Sequence, residues 1–120
     1  MLTLEETIID THDDYNPWAE CVVGFNDDGN FVIRYDFTDY DEPESNYILD
    51  AVVKKENALV VALFLKIHLI DLPSYLEKKF GEPLNTSTST EVKHVFEDLI
   101  NYISACKGDY HLHRTMTERS

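Results

Sequence analysis

Carboxylates are the most numerous side chains of this sequence that could take part in catalysis or binding. The 120 residues include 23 Asp and Glu, and 14 of these lie in residues 1–50 against a single basic residue, Arg34. Residues 51–120 hold nine acidic and nine basic residues, so the net charge of −13 belongs to the first 50. Clustered carboxylates can catalyse proton transfer, hold a hard cation or pair with Lys and Arg of another protein.

The run Asn26-Asp27-Asp28-Gly29-Asn30 has the composition of a calcium-binding loop. In an EF-hand the invariant glycine is sixth, which would make Gly24 the first ligand and Tyr35 the twelfth. Neither residue carries a carboxylate, so the match fails. Asx and Gly residues also favour tight turns, and we therefore predict a turn here rather than a calcium site.

Other site chemistries are weakly represented. His111 and His113 would share one face of a terminal strand, but a zinc site needs further ligands, and His94 is the remaining contributor we considered. Cys21 and Cys106 fall at apolar positions and are predicted to be small core residues. The sequence has four glycines and no phosphate loop, nucleophile elbow or zinc-binding helix motif. We predict no cofactor, no metal and no enzymatic activity, with a small carboxylate-dependent enzyme as the least favoured alternative.

These side chains must be positioned by secondary structure, and the clearest element is a β-hairpin over residues 18–38. A two-residue loop at Asp28-Gly29 would place charges among the apolar residues. A three-residue loop, Asp27-Asp28-Gly29, instead pairs Phe25 with Phe31 and gives one wholly apolar face. This loop type has a left-handed glycine, so the sequence predicts that Gly29 has a positive φ.

Helical signals dominate the remaining chain. Ala58 to Ile70 is apolar nearly all round, so helix and buried strand both remain open, and a central helix is favoured. The strongest signal is the regular apolar spacing of 88–106 behind the capping-box pair Thr88 and Glu91. The predicted helices are 3–10, 46–55, about 57–68, 72–80 and 88–106. The expected fold is therefore a single α+β domain, 1–120, in which an N-terminal antiparallel hairpin packs on three to four helices, with a candidate edge strand at 110–116.

The cellular location is predicted from the lack of a signal-peptide pattern and of a membrane-spanning run in the sequence. The sequence from Met1 to Glu6 is acidic and no apolar signal core follows it. The longest unbroken apolar run, Ala58 to Leu65, is far shorter than a membrane span of about 20 residues. We expect a cytoplasmic protein that has no membrane partner and that keeps its two thiols reduced.

Residues 18–41 resemble a hairpin that recurs in immunity proteins of bacterial polymorphic toxins and contact-dependent growth inhibition systems. The shared pattern is a strand opened by a tryptophan, Trp18, an Asx/Gly turn, and a second strand that ends in aromatic and acidic residues. The chain is also similar to these proteins in size, acidity and lack of a catalytic motif. The resemblance implies a cognate inhibitor of a toxin domain, often a basic nuclease.

The charge distribution and this resemblance together favour an immunity protein that binds a basic toxin domain and does not itself bind nucleic acid. An acidic nucleic-acid mimic that regulates a host DNA- or RNA-binding protein would need the same surface and remains an alternative. In both cases acidic side chains would pair with Lys and Arg of the partner, and aromatic side chains would be buried at the centre. The predicted partner-binding residues are Asp13, Asp14, Trp18, Glu20, Asp36, Asp39, Tyr40, Asp41, Glu42 and Glu44.

Overall fold

A computed structural model describes residues 2–11, 18–39, 41–42, 46–81 and 89–116. Within these ranges the chain is α+β and forms one open sheet of five antiparallel strands with three α-helices. The predicted fold class is therefore confirmed. The prediction of a lone hairpin packed on helices is wrong in detail, because that hairpin is the centre of a larger sheet.

The strands are neighbours in the sheet in the same order as in the chain, and the helices are inserted between the fourth and fifth strands. Short connections explain the adjacency of the first four strands, whereas the fifth returns to the fourth after the helices. The strands are β1 Thr3–Asp10, β2 Trp18–Phe25, β3 Phe31–Thr38, β4 Tyr47–Val53 and β5 His111–Met116; the helices are α1 Lys55–Leu65, α2 Leu72–Phe80 and α3 Ser89–Ala105, with a 3₁₀ turn, Leu69–Asp71, directly before α2.

The central hairpin has the predicted register. Phe25 pairs with Phe31, and the pairing continues without a shift to Trp18 and Thr38. Gly29 has a φ of 79°, as the three-residue loop requires. The Asn26 side chain stabilises this loop, because its Oδ1 accepts hydrogen bonds from the backbone N–H groups of Asp28 and Asn30, both at 3.0 Å.

Two segments predicted as helices are strands. Residues 3–10 form β1, which pairs with β2, and residues 47–53 form β4, which pairs with β3. The apolar residues of 46–55 fit a helical spacing, and a short apolar run such as 47–53 is equally consistent with a buried strand, so local pattern alone did not separate the two. Both edges of the hairpin offer unpaired backbone groups, and pairing with these edges decides the outcome.

The later helices agree better with prediction. Residues 55–65 are helical, which settles the choice left open for this segment, but the expectation of a buried central helix is wrong because Leu63 is 76% exposed. α2 has the predicted bounds, and α3, described over Ser89–Ala105, ends one residue before the predicted end. The predicted cap at Thr88 lies outside the described residues. β5 is the predicted edge strand.

The sheet has two chemically different faces. Its inner face packs against the helices and contains Tyr35, which is 2% exposed and lies 5.8 Å from Phe96 of α3 between ring centroids. Cys21 and Cys106 are buried in this same core, as predicted. In the described ranges, the helices belong to this inner cluster, and the opposite side of the sheet, called the outer face below, has a separate small apolar cluster.

Candidate functional site

The outer face carries a row of carboxylates that crosses three adjacent strands. Asp10 of β1 lies opposite Glu20 of β2, and Glu20 lies opposite Asp36 of β3. Residues directly opposite each other in antiparallel strands have Cβ atoms about 4.5–5.5 Å apart, so like charges there repel. The fold therefore brings together three acidic residues from distant parts of the sequence, and we call them the acidic row.

Glu20 lies at the centre of the acidic row and is half-buried. Burial is the largest cause that raises its pKa above the ordinary glutamate value of 4.5, followed by the negative charges of Asp36, Glu5 and Asp10. Arg34 acts in the opposite direction and lowers this pKa. The raised pKa means that the carboxylate form of Glu20 is disfavoured in the isolated protein. A cation from a partner would relieve this cost.

The raised pKa of Glu20 predicts a pH-dependent stability. An acid whose pKa is higher in the folded state adds stability that is full below its unfolded pKa and is lost as the pH rises through its folded pKa. Glu20→Gln removes this titration, so its advantage in free energy of unfolding over the wild type should grow as the pH rises above 4.5. Urea unfolding of both proteins along a pH series measures the difference. A constant difference, or one of opposite sign, would contradict the assignment.

Beside the acidic row, Arg34 of β3 and Asp50 of β4 form a two-pronged ion pair. Arg34 Nε donates to Asp50 Oδ1 at 2.7 Å, and Arg34 Nη2 donates to Asp50 Oδ2 at 3.1 Å. The two side chains are only 27% and 22% exposed, and the bond to Asp50 raises the pKa of Arg34. Arg34 and Asp50 lie opposite each other on neighbouring strands, so the ion pair fixes the position of the guanidinium that lowers the pKa of Glu20.

Removing the Arg34 side chain should be costly for stability. Arg34→Met leaves Asp50 without this partner, and a hydrogen bond to a charged group contributes about 1.5–3 kcal/mol, so the free energy of unfolding should fall by about that amount. Chemical denaturation measures it. Arg34→Lys is the matched control, because it keeps the charge but loses the planar guanidinium. Its free energy of unfolding should lie between those of the wild type and Arg34→Met. Equal stability of Met and wild-type proteins would show that the pair is dispensable.

The other end of the outer face is apolar. Leu2, Val22 and Val32 form a buried cluster there, with Val52 packed at its side. The start of β1 reaches this cluster because Gly24 has no side chain. A Cβ at Gly24 would lie 2.8 Å from Leu2 Cβ and 3.0 Å from a β1 carbonyl oxygen. Glycine in a strand interior often marks such a close backbone approach. The outer face thus changes from apolar to acidic along its strands.

An acidic loop continues from the end of β3. The Asp39 Oδ1 accepts hydrogen bonds from the backbone N–H groups of Asp41 at 2.9 Å and Glu42 at 3.2 Å, and the Asp39 N–H donates to Asn46 Oδ1 at 2.6 Å. Asp39 therefore organises the loop through an Asx turn. Asp41 and Glu42 are exposed residues of this loop.

The structure brings together part of the predicted partner-binding set. Trp18, Glu20 and Asp36 share the outer face, because alternate residues of a strand point to the same side. Asp39, Asp41 and Glu42 lie in the loop that follows β3. The remaining predicted residues, Asp13, Asp14, Tyr40 and Glu44, lie outside the described residues.

Sequence reasoning missed three charged residues of this face, namely Glu5, Asp10 and Asp50. All three belong to segments that were assigned to helices. A signal was present in composition, because residues 3–10 contain four β-branched residues and no alanine, and β-branched residues are enriched in strands. Residues 47–53 contain three β-branched residues and a tyrosine, a composition that likewise favours a strand.

Comparison of the chain with models of protein families, with curated proteins and with solved structures found no match. Among the described helices, none is both long and apolar enough to span a membrane by itself; α1 and the helical segment Leu69–Phe80 meet the test only as a pair, bent by 83°. The fold and the outer face define the chain as an α+β domain with an open, partly acidic sheet surface.

Proposed function

We propose that this protein is an immunity protein that binds and neutralises a cognate toxin domain with a basic surface. The observation that carries the proposal is the acidic row, in which Asp10, Glu20 and Asp36 lie on adjacent strands of a sheet face that the described helices leave open. The resemblance of residues 18–41 to immunity-protein hairpins supports the same class.

The electrostatics of the row suit a cationic partner. The pKa of Glu20 is raised by burial and by negative neighbours, so its ionised form is held at a cost in the free protein. A Lys or Arg placed over the row would reverse the sign of that local field and lower the pKa. Binding would then release any proton that Glu20 holds, and affinity should weaken as the pH falls through its free-state pKa.

The same face also offers apolar contact area. Trp18 is half-buried at the acidic end of the face, in the same strand as Glu20, and its ring can be covered by a partner. Tryptophan is enriched among residues that dominate binding energy, and acidic residues around it provide orientation and speed of association. A basic nuclease domain presents the complementary surface, since its Lys and Arg hold phosphates. The inhibitor would occupy or cover that cleft.

Co-expression with a candidate toxin domain, sought first in the gene directly upstream, tests the proposal. We expect restored growth of the host cells and a complex whose affinity falls steeply with ionic strength, because salt screens pairing between exposed charges. Binding of the purified proteins, measured across a salt series, gives the slope. Lack of protection by the chain against that toxin would contradict an immunity function.

The nature of the captured protein separates immunity from regulation. A pull-down from the native cell, eluted with a salt gradient, should release a basic toxin domain at high salt. Release of a host DNA- or RNA-binding protein instead, with no toxin, would reject the immunity proposal in favour of a nucleic-acid mimic. An elution that does not depend on salt would reject the acidic row as the contact surface.

A further inference from the structure

A second surface, on α1, is apolar and exposed. Seven large hydrophobic residues are exposed in the described ranges, and five of them fall between residues 59 and 70. Leu63 is 76% exposed, Phe64 58% and Ile70 68%, while Leu59 and Val60 are each 43% exposed. We call these five residues the α1 patch. Exposed apolar patches on soluble domains mark contact surfaces.

Four residues of the α1 patch form one continuous face of α1, and the fifth, Ile70, lies in the 3₁₀ turn Leu69–Asp71. The buried residues of α1 are Ala58, Val61 and Ala62, which pack inward. Leu59, Val60, Leu63 and Phe64 recur at intervals of one, three and four, which places them on the opposite side of a 3.6-residue helix. A helix that is apolar on both sides is ordinarily covered on both sides. The inner face of α1 is covered by this chain, and its outer side calls for another molecule.

The charges around the α1 patch constrain the kind of molecule that binds there. Residues 54–66 contain three lysines and one glutamate, in a protein whose net charge is −13. A basic partner of the acidic row would be repelled here. Two copies of this acidic chain, in contrast, repel each other least when they meet at a segment that is not acidic. The net charge of +2 on residues 54–66 allows a second copy but does not select it, whereas the placement of Glu56 and Lys66 at opposite ends of the patch favours one.

The spacing of residues along α1 is self-complementary. In a two-fold symmetric dimer, if residue i of one copy contacts residue j of the other, then residue j of the first copy also contacts residue i of the second. If two α1 helices pack antiparallel about Val61, Leu59 meets the partner's Leu63, and Glu56 meets the partner's Lys66. Each apolar contact and each opposite-charge contact then occurs twice. Glu56 and Lys66 are both exposed at the ends of the patch and available for such pairs.

We infer that the protein is a two-fold symmetric homodimer in which the α1 patches of two copies pack antiparallel. A stable interface of standard size buries about 800 Å² of each partner, with an apolar centre and a polar rim. The five apolar residues supply the centre, and Glu56 and Lys66 contribute to the rim. α1 belongs to the inner side of the sheet, so the dimer leaves the acidic row of both copies open.

The mass of the purified full chain in solution tests this inference. Sedimentation or light scattering should give a species near twice the 13.9 kDa of one chain. Measurements between about 1 and 100 µM cover the range in which a dimer with a micromolar Kd forms. Leu63→Glu should weaken dimerisation roughly 100-fold, because it buries a charge at the apolar centre. Leu112→Glu is the matched control: it makes the same change at an exposed leucine of β5 and should leave the dimer intact.

Charge reversal tests the antiparallel geometry without relying on the apolar substitution. Glu56→Lys and Lys66→Glu, made singly, should each weaken the dimer roughly 3- to 10-fold, since each breaks two symmetric exposed pairs. The double variant restores opposite charges and should return to within about twofold of wild type. Both positions are exposed, so folding should be unchanged, and circular dichroism checks this.

Three results would overturn the inference. The first is a wild-type chain that is monomeric at all these concentrations. Binding of that monomer to neutral lipid vesicles would then show that a membrane, rather than a second copy, covers the patch. The second is a dimer that tolerates Leu63→Glu but is broken by Leu112→Glu, which would place the contact at the β5 edge. The third is a double charge variant that is no tighter than either single variant. None of these results depends on the toxin partner.

Discussion

Neutralising two carboxylates of the acidic row is expected to make the free protein more stable and its complex weaker. In the variant Glu20→Gln with Asp10→Asn, two like charges that lie opposite each other are removed from neighbouring strands. Cross-strand pairs of this kind are worth about 0.2–1 kcal/mol, so the free energy of unfolding should rise by about that amount. The affinity for the basic partner should fall roughly 10- to 100-fold, and its dependence on salt should flatten.

The opposite signs of these two effects make the experiment decisive. A loss of binding caused by misfolding would be accompanied by lower stability, whereas here stability should increase. Glu97→Gln with Asp98→Asn is the matched control, because it makes the same charge change at exposed positions of α3. The control should bind normally. If both variants weaken the complex equally, net charge rather than the acidic row governs binding.

Replacing Gly108 is expected to destabilise the fold by about 1–3 kcal/mol, which is typical of overpacking in a dense core. A Cβ at Gly108 would lie 2.7 Å from both Ile103 Cγ2 and Val61 Cγ2. Both of those side chains are fully buried, so neither can move aside freely. Thermal and urea unfolding of Gly108→Ala measure the loss. Partner affinity at a temperature at which the variant is folded should be unchanged.

A double-mutant cycle identifies the cause of that loss. Val61→Ala removes one of the two colliding methyl groups, so Gly108→Ala should cost less in the Val61→Ala background than in the wild type. Additive costs would mean that the close approach of Ile103, rather than contact with Val61 of α1, requires glycine. Lys107, the preceding residue, already has a positive φ of 72° and ends α3 in the left-handed conformation.

The acidic row is a feature that folding stability alone does not favour. Three opposing carboxylates on adjacent strands repel one another, and the protein retains them on a face that the described helices leave uncovered. Proteins commonly depart from locally optimal residues where function requires it. The ion pair of Arg34 with Asp50 limits the cost, because its cation lowers the pKa of Glu20.

We propose that two surfaces of the fold have separate roles. The outer face is acidic at one end and suits a basic partner, while the α1 patch is apolar with lysines nearby and suits a second copy. They belong to opposite sides of the sheet, so a substitution in one should not disturb the other. A dimer would present two acidic rows, and linked sites of this kind increase apparent affinity for a multivalent partner.

The sequence by itself determined the features that depend on nearby residues. The hairpin register of 18–38 was predictable, because only one of the two loop lengths considered gives a face that is wholly apolar or aromatic. α3 was predictable because its apolar spacing is regular over 17 residues and buries Val92, Phe96 and Leu99. The concentration of negative charge in the first 50 residues is also a property of sequence alone.

Tertiary structure decided the features that depend on distant residues. Residues 3–10 and 47–53 are strands because the two edges of the hairpin supply backbone hydrogen-bond partners, and strand formation depends on such neighbours more than on local preference. The same pairing carried Asp10 to Glu20, and Asp50 to Arg34. The exposure of the α1 patch could not be predicted from the sequence, because a segment that is apolar all round gives no indication of which side the rest of the chain covers.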